Sequence, residues 1–223
     1  MEVDGVKIEF LGHSGFLITN ESGKRLIIDP YNVSDKVTKA DMILLTHSHY
    51  DHCSIKDLIK VAGKGTVLVV PADVQSKVAK LENVEMQVIA SGDEMTFGKI
   101  KIEALPAYNV DKDFHTKADD WLGFLIKFDK VIVYHAGDTD LIPEMKRLSG
   151  YGKHGNKFIA LLPVSGTYVM NPSEAAEAAS LVNADIAIPM HYGAGVAGTI
   201  EDAQKFVECC EKEGIHAEIL EKI

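Results

Sequence analysis

The feature that most constrains this chain is the segment at residues 46–52, which reads Thr-His-Ser-His-Tyr-Asp-His. It follows an apolar run at residues 42–45 that is typical of a buried strand, so the segment begins where a strand gives way to a loop. Four of its side chains, from three His and one Asp, are ordinary ligands of zinc and similar divalent ions. The segment therefore predicts a metal site at a strand end.

The spacing within this segment indicates how its ligands divide. His47 and His49 are two positions apart, so in an extended backbone their side chains point to the same side. Asp51 and His52 follow once the chain has begun to turn, and they can face a second position close by. One short loop could thus supply two metal ions about 3.5–4 Å apart.

Length and charge limit the class of protein. A chain of 223 residues suits a single domain over residues 1–223, and an apolar content of 46% provides for a large core. The net charge is −10, from 23 basic and 33 acidic residues, which argues against a basic surface for nucleic acid. We expect a small-molecule substrate and no nucleic acid, and an anionic substrate stays compatible because divalent ions make a pocket locally positive.

Nothing in the sequence indicates export or a membrane. No apolar stretch approaches the length of a bilayer-spanning helix, and residues 1–5 lack the basic start of a signal peptide. The cysteines are odd in number and two are adjacent, which is a poor disulfide framework: Cys53, Cys209 and Cys210. We expect a cytoplasmic protein without a membrane partner, and a homo-oligomer stays open.

The apolar runs predict an α/β fold built from two similar halves. Strands, a ligand-bearing loop and helices occur twice along the chain, and the last strand is predicted at residues 216–220. Residues 107–120 are polar without a period, which predicts a long loop of the kind that is usually functional. This organisation indicates two sheets facing each other with helices outside, a four-layer αββα sandwich.

Three other strand ends, one before the segment at residues 46–52 and two after it, carry further candidate residues. Asp138 follows an apolar strand on a turn, where a carboxylate could bridge two ions with its two oxygens. His191 closes a buried strand and precedes a Gly-rich loop at residues 193–195, which lets the backbone approach a ligand. Asp29 ends an earlier strand and could either brace the metal loop or cap a turn.

These segments together resemble the metallo-β-lactamase superfamily over essentially the whole chain. Within it, Gly12-His13, Asp29-Pro30, the segment at 135–140 and the segment at 189–192 look like the branch of small metal-dependent hydrolases that includes the relatives of ascorbate-6-phosphate lactonase. The resemblance implies the αββα sandwich and metal-dependent hydrolysis. It also implies two metals, the first held by His47 and His49, the second by Asp51, His52 and His191, with Asp138 as the bridge.

The chain departs from the family at the third motif, which is normally a His shortly after the strand that ends near residue 107. Tyr108 and Asn109 stand there instead. Either His115, six residues further on, reaches back to the first metal, or the amide of Asn109 replaces the imidazole. We favour His115, because an amide oxygen is a weak ligand for zinc.

Two further histidines are expected near the site by the resemblance. His135 would hydrogen-bond a ligand carboxylate, and His13 would do the same or contact the substrate. His154 and His216 are assigned to the surface or to structure.

The predicted reaction is hydrolysis by a metal-bound hydroxide, which attacks an acyl centre (lactone or ester) or a phosphoester, with Asp51 or Asp138 orienting the nucleophile. The cofactor is expected to be two divalent ions, with zinc favoured and with manganese, nickel and iron as alternatives.

Three other functions are considered as alternatives to metal-dependent hydrolysis of a small substrate. A nuclease or phosphodiesterase acting on nucleic acid would resemble the RNA-processing members, but those carry a clamp domain for which this acidic chain is too short. Diiron redox relatives have a carboxylate where His49 stands, and a non-catalytic scaffold is opposed by the full ligand set.

Overall fold

The computed structural model describes residues 1–153 and 155–223, so the role assigned to His154 lies outside the described residues. The chain forms two compact units, unit 1 with residues 1–90 and 220–223, and unit 2 with residues 91–219. Each unit is a mixed sheet with helices, as the α/β prediction requires. The assignment of residues 1–223 to one domain stays a prediction.

Unit 1 contains a seven-stranded sheet whose strands follow one another in chain order. Its strands are β1 (Glu2–Val3), β2 (Val6–Gly12), β3 (Gly15–Thr19), β4 (Arg25–Ile28), β5 (Met42–Leu44), β6 (Thr66–Val70) and β7 (Val84–Val88). The pairs from β1 to β4 are antiparallel, and those from β4 to β7 are parallel. Because parallel strands end at the same edge, the loops after β4 and β5 are neighbours.

The helices of unit 1 are short and follow the metal-binding segment. In α1 (Ile55–Val61), the cap residue Ser54 accepts a hydrogen bond from the backbone N–H of Asp57. Leu58 and Val61 from α1 join the apolar core of the unit. A turn of 3₁₀ helix then leads into α2 (Gln75–Val78). Helix α1 thus ends the loop and packs its inner face on the core.

Unit 2 contains a six-stranded sheet with the spatial order β13-β12-β11-β10-β9-β8. Its strands are β8 (Glu94–Phe97), β9 (Ile100–Pro106), β10 (Leu122–Lys127), β11 (Val131–His135), β12 (Lys157–Pro163) and β13 (Ile186–Met190). Strands β11, β12 and β13 are parallel, and β9 runs in the same direction because both β9 and β11 are antiparallel to β10. Four strands therefore end at one edge of this sheet.

Two longer helices complete unit 2. Asn171 caps α3 (Pro172–Val182) by accepting hydrogen bonds from the N–H groups of Ser173 and Glu174. The inner face of α3 consists of buried alanines and Val182, which lets α4 (Ile200–Lys212) pack closely against it. Within the described residues, no helix has both the length and the hydropathy needed to cross a bilayer.

The strand predicted at residues 216–220 is wrong. Only Ala217 pairs there, in an isolated bridge with Ala187 of β13. The two hydrogen bonds of this bridge, from Ala187 N–H to the His216 carbonyl and from Glu218 N–H to the Ala187 carbonyl, do not continue into a ladder. The apolar residues of this segment therefore mark one point of contact and not a seventh strand of the sheet.

Candidate metal centre

In unit 1, one buried carboxylate, that of Asp29, supports the segment at residues 46–52 through hydrogen bonds. Asp29 follows β4 and Thr46 follows the neighbouring β5, so the two side chains meet at the edge of the sheet. Asp29 Oδ1 accepts a hydrogen bond from Thr46 N–H at 2.9 Å, and Oδ2 accepts one from Thr46 Oγ1 at 2.5 Å. The same Oδ2 lies 2.7 Å from His52 Nδ1. Asp29 is fully buried, so it acts as a brace of the loop.

These bonds settle which ring nitrogen two of the histidines can offer to a metal. Thr46 donates its one hydroxyl proton to Asp29, so at its 2.9 Å contact with His47 Nδ1 it must accept. His47 and His52 therefore carry their protons on Nδ1, and Nε2 of each ring is the donor atom for a metal ion. A partner at the other ring nitrogen is the usual support of a metal-binding His.

The donor atoms of unit 1 fall into two groups. Those of His47 and His49 lie within 4.8 Å of one another, and so do those of His13, Asp51 and His52. This division is the one that the spacing of the segment predicts.

His13 is drawn into the second group through Asp51, with its Nε2 2.8 Å from Asp51 Oδ2. An ionised carboxylate only accepts hydrogen bonds, so His13 carries a proton on Nε2 in this arrangement. His13 therefore contacts the carboxylate of a candidate ligand, which is one of the two roles that the sequence left open.

In unit 2, the loop between β9 and β10 and the ends of β11 and β13 bring three candidate ligands together. His115 Nε2 lies 3.6 Å from Asp138 Oδ2, and His191 Nε2 lies 3.2 Å from the same oxygen. Ser165, which follows β12, contacts His191 Nδ1 at 2.8 Å and leaves Nε2 as the ring nitrogen on the side of Asp138. All three ligands are buried.

Asn109 organises the loop that carries His115. Its amide Nδ2 donates to the carbonyls of Phe114, at 2.9 Å, and Tyr168, at 2.7 Å. Its backbone N–H donates to the carbonyl of His115 at 2.6 Å, and its amide nitrogen lies 3.5 Å from His115 Nδ1. His115 brings a ring nitrogen to Asp138, whereas the amide nitrogen of Asn109 holds the backbone around it.

A second set of contacts ties the long loop to its surroundings. Tyr108 donates through its hydroxyl to Glu144 at 2.9 Å, and Lys117 donates to the other oxygen of Glu144, also at 2.9 Å. Burial alone would raise the pKa of Glu144, but the hydrogen bonds from Lys117 and Tyr108 outweigh it and hold the pKa below its usual value. Tyr108 and Lys117 lie on either side of His115 in the chain, so this cluster fixes both flanks of the ligand.

His135 lies at the end of β11 and is fully buried, with its Nδ1 accepting a hydrogen bond from Gly137 N–H at 3.2 Å. The backbone of Gly137 has φ +67°, and a Cβ there would collide with the carbonyl oxygen of Leu122. His135 and Gly137 thus shape the turn that presents Asp138.

Four of the site residues adopt the left-handed backbone conformation: His13 (φ 56°), Asp29 (φ 42°), His115 (φ 57°) and His191 (φ 63°). Residues other than Gly rarely adopt this conformation, and it persists where the surroundings enforce it, often at functional sites. Thr46 and Ser165 also belong to the site but were not assigned to it from the sequence. Only their positions in the sequence could have identified them. Thr46 directly precedes the first candidate ligand, and Ser165 lies in the loop after β12.

The donor set suits a divalent metal ion. Imidazole nitrogens and carboxylate oxygens are borderline to hard ligands that bind such ions, and here they are buried and close together in each unit. Hydrogen bonds at Nδ1 of His47, His52 and His191 point to Nε2 as the donor atom in each. The residues present therefore fit the expected cofactor.

Comparison with known proteins identifies the class of protein to which this chain belongs. The family model of a Beta-lactamase superfamily domain matches residues 7–191. A UPF0173 metal-dependent hydrolase of Thermococcus kodakarensis is 35% identical over 196 residues, which covers 84% of each chain. The chain belongs to the metallo-β-lactamase superfamily, and it is a metal-dependent hydrolase.

Solved structures confirm the predicted fold class. A protein from Parabacteroides distasonis, described as a candidate metal-dependent hydrolase, has a TM-score of 0.81 at 31% identity and covers 97% of this chain and 94% of its own. The metallo-β-lactamase fold protein YhfI from Bacillus subtilis has a TM-score of 0.72 at 15% identity, with 97% and 96% covered. The second likeness concerns the fold alone.

Proposed function

We propose that the candidate ligands of both units bind one pair of divalent ions, and that zinc is the preferred metal. With these ions the protein would hydrolyse an acyl (lactone or ester) or phosphoester bond of a small substrate. His47, His49 and His115 would hold the first ion, Asp51, His52 and His191 would hold the second, and Asp138 would serve both. The observation that carries this proposal is the division of the donor atoms of unit 1 into two groups, with the ring nitrogens of His47 and His52 oriented by Asp29 and Thr46.

When bound, the ions would supply Lewis acidity for the reacting oxygen and a nucleophile at neutral pH. The protein contributes the orientation of the groups around them. Asp51 accepts a hydrogen bond from His13 through Oδ2, which fixes the direction of its carboxylate. Asp138 Oδ2 lies 3.6 Å from His115 Nε2 and 3.2 Å from His191 Nε2, so this carboxylate lies next to both imidazoles, and either Asp could take the proton of the attacking water.

One observation supports a small substrate. The net charge of −10 disfavours binding to a polyanionic nucleic acid, whose affinity for proteins depends on many basic contacts. Imidazole predominates among the proposed ligands, which suits zinc better than magnesium or calcium.

The test is hydrolysis of three chromogenic or pH-reported substrates by protein loaded with zinc or manganese: 4-nitrophenyl acetate, a γ-lactone and bis(4-nitrophenyl) phosphate. We expect turnover of at least one substrate, and a loss of about 10³-fold or more in Asp138→Asn, because the bridging charge is removed. Asp129→Asn, at an exposed carboxylate in the β10–β11 turn, serves as the control and should keep full activity. Equal activity of metal-stripped protein, or no turnover of any substrate by fully loaded protein, would contradict the proposal.

A further inference from the structure

Exposed aromatic side chains cluster in sequence around the proposed ligands. Among the residues that the structure describes, the aromatic rings that stand out as exposed are Tyr50 at 64%, Phe114 at 41% and Tyr168 at 38%. Tyr50 lies between His49 and Asp51, and Phe114 directly precedes His115. Exposed apolar surface that concentrates at one functional region is a mark of ligand binding.

In unit 2, Phe114 and Tyr168 form a defined aromatic pair. Their ring centroids are 5.0 Å apart and the ring planes meet at 68°, the edge-to-face arrangement that aromatic rings prefer. The ring of His115 lies next to Phe114, with a centroid distance of 6.3 Å. The exposed pair therefore borders the imidazole that approaches Asp138.

The aromatic pair is held in place by the same residue that organises the ligand loop. One amide nitrogen, Asn109 Nδ2, donates to the backbone carbonyls of both Phe114 and Tyr168. Val110, which follows Asn109 and is 56% exposed, extends the apolar surface, and its N–H is bound by Asp140. A surface that is fixed before binding loses little conformational entropy when a ligand arrives, so it is suited to recognition.

The charges around this surface favour a neutral ligand group. Lys112 forms an ion pair with Asp140, and Lys117 forms one with Glu144, so the charge of each cation is balanced by an acidic partner. Asp111 and Asp113 are exposed in the same loop and disfavour an anionic ring substituent. A planar apolar group is the occupant that matches rings with these neighbours.

Unit 1 carries an aromatic contact of its own beside its ligands. The rings of Tyr31 and Tyr50 meet edge-on with centroids 5.9 Å apart, and Tyr31 in turn lies 5.8 Å from the ring of His13. Both units therefore place an exposed tyrosine or phenylalanine within one residue of a proposed ligand. The aromatic contact of unit 1 therefore supports, independently of Phe114 and Tyr168, the recognition of apolar groups beside the proposed ligands.

We propose that the aromatic pair Phe114–Tyr168 binds the non-reacting part of the substrate, and that the substrate carries a neutral aromatic or similarly flat apolar group next to the bond that is hydrolysed. This inference rests on the proposed function, whose substrate class it specifies. Asn109 is the positioning residue that keeps the aromatic pair next to His115.

Two hydroxamates of different size test the inference, because a hydroxamate binds a metal ion and its substituent then reports on the surface beside it. The affinities of acetohydroxamate and 2-naphthohydroxamate are measured by calorimetry on metal-loaded and metal-free protein. We expect the naphthyl compound to bind the loaded protein about tenfold more tightly than the acetyl compound, as a ring contact of this kind provides.

Variants locate that preference. The ratio of the two affinities should fall close to one in Phe114→Ala and in Tyr168→Ala, and it should persist in Tyr168→Phe, which keeps the ring. Phe128→Ala is the matched control, because Phe128 is half-buried and lies after β10, at the end of the β10–β11 pair opposite to Asp138. Metal content is determined for every variant, so that a loss of ions is not mistaken for a loss of the aromatic contact.

The outcomes separate the two proposals. Equal affinities of the two hydroxamates for loaded wild-type protein, or a tenfold preference that survives Phe114→Ala and Tyr168→Ala, would overturn the aromatic recognition surface and leave the metal site intact. If neither compound binds loaded protein more tightly than metal-free protein, the proposed function fails and the inference fails with it.

Discussion

The two units supply their ligands in opposite ways. Unit 1 places four of the proposed ligands in the seven-residue segment 46–52, which a single buried carboxylate, Asp29, supports through hydrogen bonds. Unit 2 takes its proposed ligands from a long loop (His115) and from two strand ends (Asp138 and His191), and it holds the His115 loop through Asn109 and the partly exposed cluster of Tyr108, Lys117 and Glu144. A contiguous motif can be braced from inside the core, whereas dispersed ligands depend on the fold and on contacts at the surface.

The largest effect is expected from removal of the brace in unit 1. Asp29→Ala should lower the free energy of unfolding of the metal-free protein by about 3 kcal/mol, because Thr46 and His52 lose a buried charged partner. Urea denaturation in the presence of a chelator measures this loss. Asp41→Ala is the control: its half-buried carboxylate accepts from Arg25 N–H and Lys24 Nζ, and its loss should cost about 1 kcal/mol. Equal losses in the two variants would contradict a special role of Asp29.

The next prediction compares the two candidates for the third motif. His115→Ala should weaken one metal site by about 100-fold or more, because it removes a ligand. Asn109→Ala should weaken the same site by about tenfold, as expected for a residue that only supports a ligand. Competition with a chromogenic chelator measures both affinities. Equal metal content in the two variants at limiting metal would contradict the assignment of His115 as the third-motif ligand.

A smaller effect is expected at the surface cluster of unit 2. The pKa of Glu144 is lowered in the folded protein, so its contribution to stability is present above the ordinary value of 4.5 and is lost as the pH falls through the lowered pKa. Glu144→Gln should therefore reduce the free energy of unfolding by less than about 1 kcal/mol at pH 7, since Lys117 is exposed to solvent. The difference from wild type should shrink towards pH 3. A difference that is constant from pH 7 to pH 3, measured by urea denaturation, would show that the ion pair has no part in it.

The sequence predicts the contiguous half of the site better than the dispersed half. Ligand chemistry and a spacing of two residues predict that His47 and His49 act together, and the donor atoms of these two residues lie within 4.8 Å of each other. The fold class followed from the repeated order of strands, loop and helices, and it is confirmed by the solved structures. The final strand at 216–220 was wrong because an alternating pattern does not reveal how many residues can pair.

What could not be predicted depends on parallel strands ending at one edge. Ser165 meets His191 only because β12 and β13 are neighbours, and Thr46 meets Asp29 only because β4 and β5 are. The left-handed backbone of His115 reverses the loop so that its ring approaches Asp138. Ligand chemistry favours His115 over Asn109 as the third-motif ligand, but the sequence does not show which of the two side chains approaches Asp138.

The central claim is that the two ligand sets bind a pair of divalent ions, and the metal content per chain tests it most directly. The protein is purified without a chelator or a His-tag, loaded with zinc, freed of excess metal by dialysis and subjected to elemental analysis. We expect close to two zinc ions per chain in wild type and close to one in His115→Ala. One ion or none per wild-type chain after reloading would contradict the dinuclear site.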